Sequence, residues 1–309
     1  MVLLAIATNL PEIAITTSAA MSGDLGIATG NILGGIAIQT VVLAALDALG
    51  RRGQAPLTRR AASLAVVLEG ALVVAVLAVV VMANRLPASL VVAGRLAPGD
   101  LLIAGLWVGG VRLVGAAGSN MPWQNQGTAP GGQQPPKGHS KTQMEQAATR
   151  QGVSTSRAAA AFTIAAGLTL VAGVALERSG EALAGRLGLS GVLFGSTILA
   201  AATALPEVST GLASIRLGDD QLAVSDIFGG NAFLPVLFLL AGLLSGQAVL
   251  PRAQASDVYL TGLGILLTSV YIGGLIVRPR RRLLRMGADS LAVVLLYLVG
   301  VAGLVALSR

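Results

Sequence analysis

The chain of 309 residues contains no cysteine and a single histidine, His139. Disulfides, thiolate metal centres and cysteine nucleophiles are therefore excluded. Aromatic residues make up only 3% and charged residues only 11% of the chain. A soluble domain carries about 25% charged residues, so an ordinary water-soluble fold is excluded as well. What the chain has in quantity is apolar surface and glycine: 54% hydrophobic residues, a mean hydropathy of +0.78 and 40 glycines. Small residues at that frequency suit transmembrane helices that approach one another closely.

A helix needs about 20 apolar residues to cross the hydrocarbon core. Nine stretches meet that length: about 1–22, 25–48, 61–83, 98–116, 158–184, 187–215, 220–246, 256–277 and 287–308. The runs are too long for strands and do not alternate. No basic segment precedes the apolar start, so no signal peptide is expected. The fold class is an all-α membrane protein, a polytopic bundle of about nine transmembrane helices. One long polar segment, 117–157, is rich in glycine, proline and glutamine and reads as a flexible linker. It holds His139 and divides the chain into a first half, 1–116, with four helices and a second, 158–309, with five.

The net charge of +7 does not point to nucleic acid, because the basic residues sit in short runs between apolar stretches. With the connections assigned alternately, one side receives Arg51, Arg52, Arg59 and Arg60, then Lys137, Lys141, Arg150 and Arg157, then Arg216, then Arg278 to Arg285. The other receives Arg85, Arg95, Arg178, Arg186, Arg252 and Arg309. The richer side is expected in the cytoplasm, together with the N-terminus and the linker. The C-terminus is then outside, and a plasma (inner) membrane is the expected location.

The two halves carry the same motif. Thr8-Asn9-Leu10-Pro11-Glu12 returns 195 residues later as Thr203-Ala204-Leu205-Pro206-Glu207, and Gly23-Asp24 returns as Gly218-Asp219. Over residues 5–35, 12 of 31 positions are identical at that ungapped offset, and Asn31 is matched by Asp226. The first copy lies on the first helix and the second on the sixth, so they run in opposite directions. Inverted repeats of this kind build binding sites near the bilayer midplane.

Proline inside a helix removes the donor for the carbonyl four residues earlier, here Ala7 and Ala202. A freed carbonyl at membrane depth must line a polar cavity or find a partner, and a cation is a suitable one. Thr8 and Glu12, like Thr203 and Glu207, are four apart and share a helix face. Asn31 and Asp226, each 19 residues after its glutamate, have room to turn at the Gly-Asp pair and return to similar depth. Gly30 and Gly34, and likewise Ser225 and Gly229, give small-xxx-small steps for close packing. The candidate metal ligands are thus Glu12, Glu207, Asp226, Asn31, Thr8, Thr203 and the carbonyls of Ala7 and Ala202. All are hard oxygen ligands of the kind calcium takes. Three charged carboxylates left unpaired at mid-bilayer would cost roughly 8–10 kcal/mol on insertion scales. Protonated carboxylates stapling helices together are the alternative, which leaves the inverted duplication unexplained.

At these residues the sequence resembles the calcium/cation antiporter superfamily, which includes the sodium/calcium exchangers. Its alpha repeats carry Gly-Thr-Ser-x-Pro-Glu followed by Gly-Asn/Asp-x-x-Gly-Ser-Asn, and the likeness covers residues 1–48 and 187–246. The resemblance implies that Glu12, Asn31, Glu207 and Asp226 coordinate the ions, with Thr8 and Thr203 beside them. It also implies exchange of calcium for sodium or protons by alternating access, calcium and monovalent cations being substrates and no cofactor being required. The serine of the motif is replaced by Asn9 and Ala204, which bears on sodium coupling. The family's ten helices imply a helix before Thr8, for which seven residues give only about 10 Å; the first helix is expected to be missing. A non-transporting calcium-binding membrane protein, or an inactive truncated antiporter, is the other expectation.

Among the remaining residues, Glu69 in the third helix reads as an interfacial side chain or a secondary ion ligand. Glu177 and Glu181, four apart near the outer end of the fifth helix, read as a solvated face, with attraction of cations at the vestibule as the alternative. The Arg278–Arg285 cluster is accounted for by topology alone, binding of anionic lipid heads being the alternative. Gly30-Asn31-Ile32-Leu33-Gly34-Gly35 lacks the Lys-Ser/Thr of a phosphate loop. No hydrolytic grouping is present, so an enzyme is not expected.

Overall fold

The computed structural model describes residues 8–50, 55–92, 96–120, 155–188 and 190–307. The helices are α1 (Leu10–Ser22), α2 (Leu25–Leu49), the short α3 (Leu57–Ala61), α4 (Leu64–Ala83), α5 (Pro98–Asn120) and α6 (Thr155–Leu187). The next span is broken into α7 (Gly191–Phe194), a π-helical turn at Gly195–Leu199, α8 (Ala200–Thr203) and α9 (Leu205–Leu217). Then come α10 (Asp220–Phe233), a 3-10 turn at Leu234–Val236, α11 (Leu237–Ser245), α12 (Ala255–Val277) and α13 (Ala288–Leu307).

Seven spans among the described residues are long and apolar enough to cross a membrane, beginning at Leu25, Leu64, Pro98, Gly191, Asp220, Ala255 and Ala288. The other two expected helices differ for separate reasons. The first is described only from Thr8 onward. The fifth is helical over 33 residues, but Glu177, Arg178, Glu181 and Arg186 make its sequence less apolar than a full span. Of the linker, 117–120 and 155–157 are helical extensions of α5 and α6, and 121–154, with His139, lies outside the described residues. One small sheet was not expected: β1 (Arg282–Leu283) pairs antiparallel with β2 (Met286–Gly287) inside the arginine cluster.

The helix starts are written locally. Asp24 caps α2 by accepting from the Ile27 N–H at 3.2 Å, and Asp219 caps α10 by accepting from the Leu222 N–H at 2.9 Å. Ser63 and Ser190 do the same for α4 and α7. Fully buried Ile32, Ile36 and Leu43 of α2, Leu77 of α4, Phe228 of α10 and Tyr271 of α12 form the centre of the bundle. Phe228 meets Tyr271 edge-on, with ring centroids 5.8 Å apart.

Polar contacts fix which helix ends lie together. The Asp47 carboxylate, near the end of α2, accepts from the Leu57 and Gly287 N–H groups, each at 2.7 Å, and from the Ser290 hydroxyl at 2.9 Å. Arg60 on α3 pairs with Asp220 at the start of α10. At the opposite end, Asn84 donates to the Leu250 and Ala253 carbonyls at 3.2 and 3.0 Å. So α2 ends where α10 begins, and the two run antiparallel. These are the equivalent helices of the two sequence repeats, and their opposite course is the one that inverted repeats require.

Candidate cation site

The repeat in sequence is a repeat in backbone. α1 and α9 are both 13 residues long, with proline in the first turn. Each follows a break, at Asn9 (φ −90°, ψ 15°) and at Ala204 (φ −79°, ψ 0°). Each ends at a glycine in the left-handed region, Gly23 at φ +85° and Gly218 at φ +81°, where an L side chain is disfavoured. The aspartate that follows caps the next helix in both copies. Sequence and geometry thus share one 195-residue offset.

Close approach is set by glycine. A Cβ at Gly30 would come within 2.6 Å of the Val192 carbonyl oxygen, and one at Gly34 would strike the Ser196 backbone. The first small-xxx-small step therefore packs α2 against α7 and the π-turn. Gly230 leaves room for Asn9 and Gln39, since its Cβ would lie 2.8 Å from Asn9 Nδ2 and 3.4 Å from Gln39 Oε1.

The acidic residues lie deep in the bundle. Glu12 is 0%, Glu207 2% and Asp226 7% exposed. Glu207 stands within charge–charge range of both Glu12 and Asp226, so the two copies bring their glutamates together. The Thr203 hydroxyl lies beside the Glu12 carboxylate while donating to the Ala200 carbonyl at 3.2 Å. Neither Glu12 oxygen has a hydrogen-bond donor among the described residues. Glu207 Oε1 accepts from Gln39 Nε2 at 3.4 Å, and Asp226 Oδ2 accepts from the Thr210 hydroxyl at 3.0 Å. Among the described residues their other oxygens are unpartnered, as are both polar atoms of fully buried Asn31. Buried polar atoms are nearly always hydrogen-bonded, so this concentration of orphan acceptors marks a place for a donor or a cation. It also argues against carboxyl staples, because among the described residues neither Glu12 oxygen makes a hydrogen bond of normal geometry.

The remaining predicted ligands are placed less directly. Thr8 is buried, but the break at Asn9 separates it from α1, so Thr8 and Glu12 do not share one continuous helix. Ala7 lies outside the described residues. The Ala204 N–H bonds to the Ala200 carbonyl at 3.1 Å and also turns toward that of Ala202. Among the described residues no three His, Cys, Asp or Glu side chains gather tightly enough to form a ready metal centre. An ion here would be held by carboxylates together with amides, hydroxyls and carbonyls.

Sequence reasoning missed Gln39, Thr210 and Asn231. Thr210 follows Glu207 by three, a same-face spacing that was available. Asn231 donates to the Ile36 carbonyl at 3.4 Å and to Thr40 Oγ1 at 3.3 Å, joining α10 to α2. Two readings are corrected. Glu69 is not interfacial but buried, at 7% exposure. Glu177 is not on a solvated face; it is fully buried and accepts from the Ser18 hydroxyl at 2.8 Å, because α6 packs along α1 at Gly173.

Two antiparallel copies, each broken at a proline beside a buried glutamate, define an integral membrane protein with a polar site inside its helical bundle. The chain belongs to the sodium/calcium exchanger protein family, which it matches over residues 1–106 and 157–306, and with it to the calcium/cation antiporter superfamily. It is 36% identical over 97 residues to "Putative antiporter CaxA" of Alkalimonas amylolytica, 30% of this chain and 30% of that protein. It is 36% identical over 76 residues to the inner membrane protein YrbG of Escherichia coli (strain K12), 24% of this chain and 23% of that one. The aligned stretches thus span under a third of either relative. In fold it is similar to a crystal structure of an H+/Ca2+ exchanger, CAX, with a TM-score of 0.62 and 14% identity over 99% of this chain and 77% of that one.

Proposed function

We propose that the protein is a secondary cation antiporter, a transporter rather than an enzyme, that exchanges calcium for sodium or protons by alternating access. The observation that carries this reading is the set of unpartnered acceptors on Glu12, Asn31, Glu207 and Asp226, contributed by two antiparallel copies. Glu12 and Glu207 come from opposite repeats, so rocking one repeat against the other changes which side the pair faces without dismantling it. The names of the sodium/calcium exchanger family and of the CAX structure support calcium as substrate.

In this reading the carboxylates supply the charge that replaces calcium's hydration, and the Asn31 amide oxygen adds a neutral ligand. Clustered carboxylates disfavour one another's ionisation, so counter-ions compete with calcium for the same acids. The end carrying Arg59, Arg60, Arg216 and Arg278–Arg285 faces the cytoplasm of a plasma (inner) membrane.

Reconstituted vesicles test the reading. Glu12→Gln and Glu207→Gln are each expected to lower gradient-driven calcium uptake by at least about tenfold, the loss of roughly 1.4 kcal/mol of ion stabilisation. Undiminished flux in both variants rejects the site. Calcium binding without gradient-driven accumulation in the parent protein rejects transport.

A further inference from the structure

Glu69 is a buried acid that the repeated motif does not contain. It lies on α4, five residues after Leu64, and Asp226 lies on α10, six residues after Asp220. α4 and α10 begin at the same end of the bundle, the end held by Arg60 and Asp220. At 1.5 Å per residue the two acids stand about 8 and about 9 Å into their helices, at one level. Gly70 lets α4 sit against α10 there: its Cβ would be 2.9 Å from Phe228 and 2.7 Å from Ile272.

Glu69 meets the Ser225 hydroxyl, and its Oε2 has no donor among the described residues. Ser225 and Asp226 are adjacent on α10 and so point about 100° apart. Ser225 faces Glu69, while Asp226 faces Thr210. The repeats differ at this place. The counterpart of Ser225 at the 195-residue offset is Gly30, whose position is filled by the Val192 backbone. Glycine at position 30 therefore leaves the first repeat without a counterpart of the Ser225 hydroxyl.

Among the described residues no lysine or arginine pairs with Glu69. The ionisable groups not exposed on the neighbouring helices are Asp220 and Asp226 on α10, Asp257, Tyr259 and Tyr271 on α12, and Asp100 on α5. Arg112 on α5 and Arg252 beyond α11 are exposed. A buried carboxylate needs a compensating charge, and here a mobile cation is what could supply it.

We propose that Glu69 and Ser225 form a second cation subsite, for an additional monovalent counter-ion, one helix sector away from the carboxylates that hold calcium. This inference rests on the antiport reading and adds a place for one further coupling ion beside those that compete for the calcium carboxylates. One carboxylate and one hydroxyl suit a sodium ion or a proton and are too few for calcium, which takes six to eight oxygens. The site lies toward the arginine-rich end, so the counter-ion reaches it from that side.

The test uses the full chain in proteoliposomes and two measurements. One is isotopic calcium–calcium exchange without a gradient, which needs the calcium site alone. The other is calcium uptake driven by an imposed sodium gradient, or in a parallel arm by a pH gradient. Glu69→Gln is expected to keep calcium–calcium exchange within about twofold and to lose at least about tenfold of the driven uptake, in whichever arm the parent protein responds. Ser225→Ala is expected to move the same way by about threefold, and Glu69→Asp to restore driven uptake in part. These two variants also carry the test if Glu69→Gln fails to fold. Equal loss of both activities, or loss of neither, overturns the proposal. A parent protein that exchanges calcium but shows no driven uptake in either arm overturns the antiport reading and this inference with it; Glu12→Gln, which should lose both activities, reports on the calcium site separately.

Discussion

Gln39 Nε2 donates to Glu207 Oε1 at 3.4 Å, joining two repeats through residues 168 positions apart. In the proposed antiporter the amide competes with a cation for this carboxylate oxygen. Gln39→Leu is expected to leave Glu207 without a donor, destabilising the ion-free protein by about 1–3 kcal/mol. At roughly 2–4 °C per kcal/mol, the melting temperature in calcium-free detergent should fall by several degrees. Calcium should then raise it by more than in the parent protein, because the ion no longer competes with the amide. An unchanged calcium-induced shift would reject that competition.

Gly34 rests on the Ser196 backbone. Gly34→Val should overpack the contact between α2 and the π-turn, costing about 1–3 kcal/mol or more. Gly105→Ala is the control, since nothing lies within 4 Å of its Cβ position. Thermal melts of the two purified variants should separate clearly; equal melting temperatures would mean that α2 does not need the close approach.

Gly23 and Gly218 share one left-handed conformation, and neither has a neighbour within 4 Å of its Cβ position. Alanine at either site therefore adds strain without a clash, about 1–2 kcal/mol. The expected result is two similar losses of stability in a denaturant series. Losses differing by more than about 1 kcal/mol would show that the two turns are not mechanically equivalent.

Asp47 ties together the end of α2, the start of α3, the β-hairpin and the start of α13, with Arg282 Nη2 3.8 Å from its Oδ1. Asp47→Ala removes the acceptor for three donors and should cost about 3 kcal/mol or more. Amide hydrogen exchange gives a local readout: the Leu57 and Gly287 N–H groups should exchange faster. Unaltered exchange at both would deny Asp47 its role as a tie.

Much of the site was legible because it depends on local rules. Pro11 and Pro206 break their helices wherever they fall, and Asp24 and Asp219 cap the helix that follows. The ungapped repetition of those residues carried the architecture and the identity of the buried glutamates. The misjudged positions, Glu69 and Glu177, turn on a different kind of fact. A lone acid in an apolar helix reads the same whether it reaches toward an interface or into the bundle. Gln39 and Asn231 were silent for a related reason: their partners, Glu207, Ile36 and Thr40, belong to the other repeat.

The sequence alone determined that the chain crosses a membrane many times, that its halves are inverted copies, and which acids each copy supplies, because hydropathy, proline chemistry and capping act within a few residues. Only the tertiary structure decided that Glu12 and Glu207 lie within charge–charge range, that both Glu12 oxygens and Glu207 Oε2 have no hydrogen-bond partner among the described residues, and that Glu69 faces Ser225. Those relationships depend on how closely glycines let distant helices approach, a distance that no local pattern encodes.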